Sequence, residues 1–140
     1  MPIHCEIVSQ DRVVFQDDVD IVVVPGLEGV MGILPHHAPL LSLLQFGIIT
    51  VRKQDREEYF TVAGGVVEVA GNEVIVLANA AENVDEINIQ RAEAAKQRAE
   101  TMLKERAGGK VEDLESIQAS LRRSNLRISA VQRYRQKRTR

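Results

Sequence analysis

Between about Asn79 and Glu86 the hydrophobic period of this chain changes, and no single fold class accommodates both periods. Before that stretch apolar residues alternate or run in short β-branched blocks, as in Ile3-His4-Cys5-Glu6-Ile7 and Val19 to Val24. That is the two-residue period of strands. After it, Ala, Glu, Gln and Arg take over, and Leu114, Ile117, Leu121, Ser124, Ile128 and Val131 recur at steps of three and four. That is one stripe of a helix. The chain is therefore read as two parts, a β domain over 1–84 and a helical part over 85–140, joined by a short polar hinge.

Within the first part, Arg12 to Phe15 follows a Ser9-Gln10-Asp11 turn, and the Val19–Val24 run ends at Pro25-Gly26. Gly47 to Arg52 and Glu58 to Ala63 flank a polar loop, Lys53 to Glu57. Val66 to Val69 and Val74 to Leu77 flank a tight turn over Ala70-Gly71-Asn72-Glu73. Hairpin spacings of this kind predict about eight to ten short strands in a sandwich or barrel. No helical stretch intervenes, which excludes parallel βαβ architecture. Gly64-Gly65, between two strands, reads as a bend or bulge.

In the second part, Ala92, Ala95, Ala99 and Met102 repeat the helical spacing. Small residues facing the larger stripe of a second helix predict close antiparallel packing. Gly108-Gly109 marks the turn, and Asp113 is the expected N-cap of the second helix. Two helices alone bury one seam and are marginal. Charge divides along the same boundary. Residues 1–88 hold fourteen acidic against four basic side chains, and residues 89–140 hold six against fourteen. A basic arm beside an acidic domain predicts mutual attraction or an acidic partner.

Several chemistries are disfavoured. No apolar run approaches the roughly 20 residues of a membrane-spanning helix, and nothing near Pro2 resembles a signal peptide. With one cysteine there is no intrachain disulfide, and an intracellular setting is expected. His4, Cys5, His36 and His37 lack metal-ligand spacing, and the His pair fits a turn between Pro35 and Pro39. Cys5 in an alternating strand reads as structural. No nucleophile elbow and no phosphate-binding loop is present, so a non-enzymatic chain is expected. The basic end, Arg133 to Arg140, suits nucleic acid or anionic lipid, but equally a solvated helix terminus. Arg91, near a helix start at Asn88, suits a phosphate or an ion pair with Glu82, Asp85 or Glu86.

Three motifs point to one family. Gly32-Ile33-Leu34-Pro35-His36-His37-Ala38-Pro39-Leu40, Gly64-Gly65-Val66-Val67-Glu68-Val69 and the Val74–Glu82 stretch occur in this order. Together they resemble the signature of the epsilon subunit of F-type ATP synthases, and the resemblance runs through essentially the whole chain. It implies a ten-stranded flattened β-barrel or sandwich followed by an antiparallel two-helix hairpin. It implies a non-catalytic central-stalk role, binding the gamma subunit and the c-subunit ring and coupling proton flow to ATP synthesis. The helices would regulate: folded, they lie on the β domain; extended, they bring Arg122, Arg123, Arg127, Arg133 and Arg135 to acidic segments of the alpha and beta catalytic subunits and inhibit hydrolysis. Location would be the cytoplasmic face of a bacterial cell membrane, with membrane association through the complex only and no nucleic acid.

The resemblance also implies site residues. The loop from Gly26 to Met31 would face the ring, and Glu28, Val30, Met31 and His37 are the expected partner contacts. The family's acidic residue just before this element is replaced by Val30-Met31, with Glu28 two residues earlier. Some members bind regulatory ATP through an I-D-x-x-R-A motif. Here it reads Ile87-Asn88-Ile89-Gln90-Arg91-Ala92, with Glu82 upstream and Arg123 and Arg127 from the second helix. Asn88 retains the capping acceptor but lacks the charge of the aspartate, so weak or no ATP binding is expected. The rival readings are a module devoted to sensing ATP and a nucleic-acid binder. Missing aromatic platforms and the acidic β domain disfavour the latter.

Overall fold

The computed structural model describes residues 2–105 and 111–135. It divides into two compact units, Met1–Val84 and Asp85–Arg140.

The first unit contains β1 (Ile3–Val8), β2 (Val13–Val19), β3 (Ile21–Gly26), β4 (Gly29–Ile33), β5 (Leu40–Lys53), β6 (Arg56–Ala70), β7 (Glu73–Ala78) and β8 (Ala81–Asn83). The hydrogen-bonded order is β2-β1-β7-β6-β5-β3-β4, with β8 added beside β6. All ladders are antiparallel except β1 with β7. The strand count is eight, not ten, and the sheet is not closed into a barrel: β2 and β4 stand at its two ends. The discrepancy lies in β5 and β6, which are 14 and 15 residues long and serve both halves of the fold. Gly65–Ala70 of β6 pairs with β7, whereas Phe60–Val62 pairs with β8. Between them Gly64 and Gly65 take φ of +85° and +144°. A Cβ on Gly65 would stand 2.3 Å from the Leu77 carbonyl oxygen, so the ladder closes here only over glycine.

The inward side chains follow the alternation. Ile3, Cys5 and Ile7 of β1, Val22 and Val24 of β3, Ile49 and Val51 of β5, Val67 and Val69 of β6, and Val74 and Val76 of β7 form one buried cluster. Phe60 belongs to the same cluster and is fully buried, its ring centroid 5.2 Å from that of Phe15. Two turns are tighter than the sequence suggested. The polar loop expected over 53–57 contracts to Gln54-Asp55, with Lys53 and Arg56 still paired. Gln54 adopts φ +56° and donates its N–H to Asp20 Oδ2 at 2.7 Å. The Val19–Val24 run is broken at Asp20, where β2 ends and β3 begins.

The second unit opens with a 3-10 turn, Val84–Glu86 of which Asp85 and Glu86 belong to it, followed by α1 (Ile89–Glu105) and α2 (Val111–Ala130). A π-helical turn, Val131–Arg135, completes the described chain. Helices α1 and α2 contact one another. Ala92 and Ala99 are buried on α1, and Ile117, Ser124 and Val131 are buried on the expected stripe of the second segment. Met102 is not part of the seam, being 40% exposed. At about 100° per residue it sits some 80° from Ala92, whereas Leu103, half-buried, returns to within about 20°. Asp113 lies inside α2 rather than capping it. The expected Gly108-Gly109 turn and the basic residues Lys137, Arg138 and Arg140 lie outside the described residues.

Candidate functional site

Buried side chains give the first unit its stability, and exposed ones show what it can hold. Strand β3 ends at Gly26 and β4 begins at Gly29, so Leu27 and Glu28 form the tip of a tight hairpin. The Leu27 N–H donates to the Leu43 carbonyl at 2.9 Å, and Gln45 Nε2 donates to the Gly26 carbonyl at 2.8 Å. These bonds fasten the tip against β5. Between them opens a groove of about 530 Å³, lined by residues that include Glu28, Val30, Met31, Leu41 and Leu43. Val30 is 76% exposed and Leu41 71% exposed. Three of the expected ring-facing contacts, Glu28, Val30 and Met31, thus line one groove, Glu28 and Val30 exposed and Met31 half-buried against the core.

His37 stands apart from that groove, in the turn before β5. The His37 N–H donates to the Leu34 carbonyl at 3.2 Å, with Pro35 and His36 between them and His36 at φ +66°. Proline at the second position and positive φ at the third are the features of a type II turn. His37 Nδ1 lies 2.7 Å from the Ala38 carbonyl oxygen. A carbonyl only accepts, so Nδ1 carries the hydrogen.

A second apolar feature was not foreseen from sequence. Register aligns Val13 with Val8, Val8 with Leu77, Leu77 with Val66 and Val66 with Leu43. These five residues form a row across β2, β1, β7, β6 and β5 on the face opposite the core. Leu43 and Leu77 are each 57% exposed. The available signal was the unbroken apolar runs Leu40–Leu41 and Leu43–Leu44, Val66–Val67 and Val74–Leu77. A strand wetted on one face alternates; one without alternation has two faces to cover. Val13 is also exposed, and Val8 and Val66 between them are half-buried, so the row is an apolar strip of the kind that partners cover.

Beside this row the face turns polar. His4 Nδ1 lies 3.0 Å from Asp18 Oδ1, and His4 Nε2 lies 3.3 Å from Glu6 Oε1. Gln16 Nε2 donates to the same Glu6 oxygen at 3.0 Å. The Asp18 hydrogen bond, then that of Glu6, raises the His4 pKa above its ordinary value. Cys5, on the opposite face of β1, is fully buried. Burial, with a smaller contribution from Glu6, pushes its thiol up to about 12. It is protonated and inert at neutral pH. Among the described residues no group of three or more His, Cys, Asp or Glu side chains is placed to hold a metal ion.

On the helical unit, Asn88 is the N-cap of α1. Its Oδ1 accepts the Arg91 N–H at 3.1 Å, and its carbonyl accepts the Ala92 N–H at 3.1 Å. Ile87 and Ala92 are both buried, one preceding the cap and one at the fourth helical position, the spacing of a hydrophobic staple. Arg91 is exposed. On α2, Arg122 is exposed while Arg123 and Arg127 are half-buried. In the π-turn, Arg133 is exposed, its guanidinium 5.5 Å from the Tyr134 ring centroid, and Arg135 is half-buried. Arg135 Nη2 donates to the Ile87 carbonyl at 2.7 Å. Glu82, the remaining expected site residue, belongs to β8 of the first unit. Among the described residues no helix is long and apolar enough to cross a membrane.

Comparison with known proteins accounts for both units. The family described as "ATP synthase, Delta/Epsilon chain, beta-sandwich domain" matches residues 2–84, and the corresponding "long alpha-helix domain" matches residues 85–132. The ATP synthase epsilon chain of Moorella thermoacetica is 41% identical over 129 residues, covering 91% of this chain and 95% of that one. The epsilon chain of Pelotomaculum thermopropionicum is 49% identical over 98 residues, covering 70% of this chain and 73% of its own length. Among solved structures, a chain of the Euglena gracilis mitochondrial ATP synthase OSCP/F1/c-ring assembly superposes with a TM-score of 0.70. It is 20% identical, covers 86% of this chain and 75% of its own, and shows that the fold is shared. With a β-sandwich and a helical domain both matched in order, the chain belongs to the family of ATP synthase delta and epsilon chains, whose members are stalk subunits of the complex rather than its catalytic ones.

Proposed function

We propose that this chain is the rotor subunit that joins the gamma subunit to the c-subunit ring of a proton-translocating F-type ATP synthase, and that its two helices regulate ATP hydrolysis. The observation that carries this reading is the apolar surface of the sandwich. A free-standing domain has no use for the row through Val8, Leu77, Val66 and Leu43, or for Val30 and Leu41 beside the groove. The groove and the row meet at Leu43, and one apolar surface that runs from the β3–β4 tip across to β2 suits a piece wedged between two neighbours. In this reading gamma covers the row, and the lip carrying Glu28, Val30 and Met31, with His37 behind it, rests on the ring. Torque then passes through strands rather than loops, and β5 and β6 span both halves of the sheet to carry it. The complex would lie at the cytoplasmic face of a bacterial cell membrane, this subunit reaching the bilayer only through its partners.

The helices form the regulatory arm, an antiparallel hairpin when folded. Arg122, Arg123, Arg127, Arg133 and Arg135 supply cations to carboxylates of the alpha and beta subunits when the arm extends. Ion pairs with an acidic partner steer and orient such a contact more than they tighten it. A two-helix unit with a small-residue seam has little to lose on opening, which suits a switch between arrangements separated by a few kcal/mol.

ATP is a weak regulatory ligand at most in this reading. Ile87, Asn88, Arg91 and Ala92 open α1, and Arg123 and Arg127 lie on α2, but the Asn88 oxygen is engaged in capping and carries no charge. Calorimetry of the full chain with ATP tests this: micromolar affinity would refute it. The main reading is tested by truncating the chain after Glu86 in the assembled complex. Hydrolysis should rise while coupled synthesis persists; unchanged hydrolysis would remove the inhibitory role.

A further inference from the structure

Arg135, the last described residue of the π-turn, makes a bond that reaches back to the start of the helical unit. The inward stripe of α2 runs through Ile117, Leu121, Ser124, Ile128 and Val131, and the next step of four falls on Arg135. An arginine at an apolar stripe position needs an acceptor within reach. The acceptor here is the Ile87 carbonyl, 2.7 Å from Arg135 Nη2 and 48 residues earlier in sequence. Ile87 is the last residue before the Asn88 cap, and its side chain is buried. One guanidinium thus fastens the end of the second helical segment to the entry of the first.

We infer that Arg135 is a clasp that holds the two-helix arm shut by capturing the Ile87 main chain. The widened π-turn belongs to the same device, since such turns redirect side chains and recur at functional positions. Two properties follow. The clasp reads backbone, so it needs the residue at 135 rather than any particular side chain at 87. It also withholds this guanidinium from outside carboxylates while shut, so that opening the arm and arming Arg135 for an acidic partner are the same event. Arg133, one turn-edge away and exposed, has no such restriction.

This inference rests on the regulatory reading of the arm only for its consequence, and two measurements separate them. Amide hydrogen exchange on the full-length chain reads the clasp itself. Arg135→Ala should speed exchange at 88–92 and across 124–134 by roughly tenfold, the factor that corresponds to about 1.4 kcal/mol. Arg135→Lys, which keeps a donor and a charge but loses the planar fork, should recover part of that protection. Far-UV circular dichroism of both variants should match the parent, showing that the helices persist. Unchanged exchange in Arg135→Ala overturns the clasp. Exchange that rises equally in Arg135→Lys and Arg135→Ala also overturns it, because a cation with a donor would then hold nothing. Hydrolysis by the complex reassembled with Arg135→Ala is the second measurement. Altered turnover alongside faster exchange supports the clasp as a control element. Parental turnover alongside faster exchange overturns that control and leaves a purely structural bond.

Discussion

Replacing Leu43 and Leu77 together by serine removes the centre of the apolar row without touching the core. Fully burying a leucine is worth about 1.5–3 kcal/mol. Each of these two retains 57% of its surface in the free chain, so covering it by a partner adds about 0.9–1.7 kcal/mol apiece. The pair should therefore weaken association by about 2–3 kcal/mol, a roughly 30- to 150-fold rise in Kd. The part of each leucine already buried in the free chain is worth about 0.6–1.3 kcal/mol by the same measure, so the melting temperature should fall by several degrees and the titration is run below that transition. The assay is titration of the purified chain into the gamma subunit, followed by surface resonance or calorimetry, with thermal unfolding of the variant measured in parallel. A loss below threefold in a variant that is folded at the titration temperature would show that gamma does not cover this row. The row would then need another occupant, and the reasoning from exposed surface to partner would fail.

Three further outcomes are expected. Gly65→Ala puts a Cβ against the Leu77 carbonyl oxygen at 2.3 Å and holds a non-glycine residue at φ +144°, so denaturant unfolding should show a loss of about 3 kcal/mol or more. Asn88→Ala deletes the acceptor for the Arg91 N–H and should cost about 1 kcal/mol, read as faster amide exchange in the first turn of α1; Asn88→Asp should keep the cap and strengthen ATP binding in calorimetry. His4 has a raised pKa because its protonated form bonds Asp18 and Glu6, so its contribution to stability is complete below its ordinary value of 6.5 and fades as pH climbs through the higher folded value. His4→Gln should flatten that portion of the stability–pH curve, and an unaltered curve would show that the carboxylates do not hold the imidazolium.

Much of the fold was legible because strand and helix periods are local. The alternation through Ile3, Cys5 and Ile7 and the stripe through Ile117, Ser124 and Val131 were both read from spacing and are buried as read. Gly64-Gly65 was recognised as a bend, and the Asn88 cap could be placed from its position before a helical run. The errors also have local causes. Met102 and Leu103 are one residue apart, and only the accumulated 3.6-residue drift from Ala92 distinguishes them. The count of ten was implied by the resemblance, whereas in the sequence Glu58–Ala63 and Val66–Val69 look like separate strands and are the two arms of one long bent strand. A glycine pair bends a strand without ending it, which no window of a few residues can show.

The chain's own order of residues determined where β gives way to α, which side chains face inward on each element, and which helix end is capped, since each depends on neighbours within about four positions. Tertiary structure alone decided that residues 8, 13, 43, 66 and 77 stand in one row and that Arg135 meets the carbonyl of Ile87. A period says which face a side chain takes. Only the register between strands or helices distant in sequence, set by the packing of the whole unit, says what stands beside it.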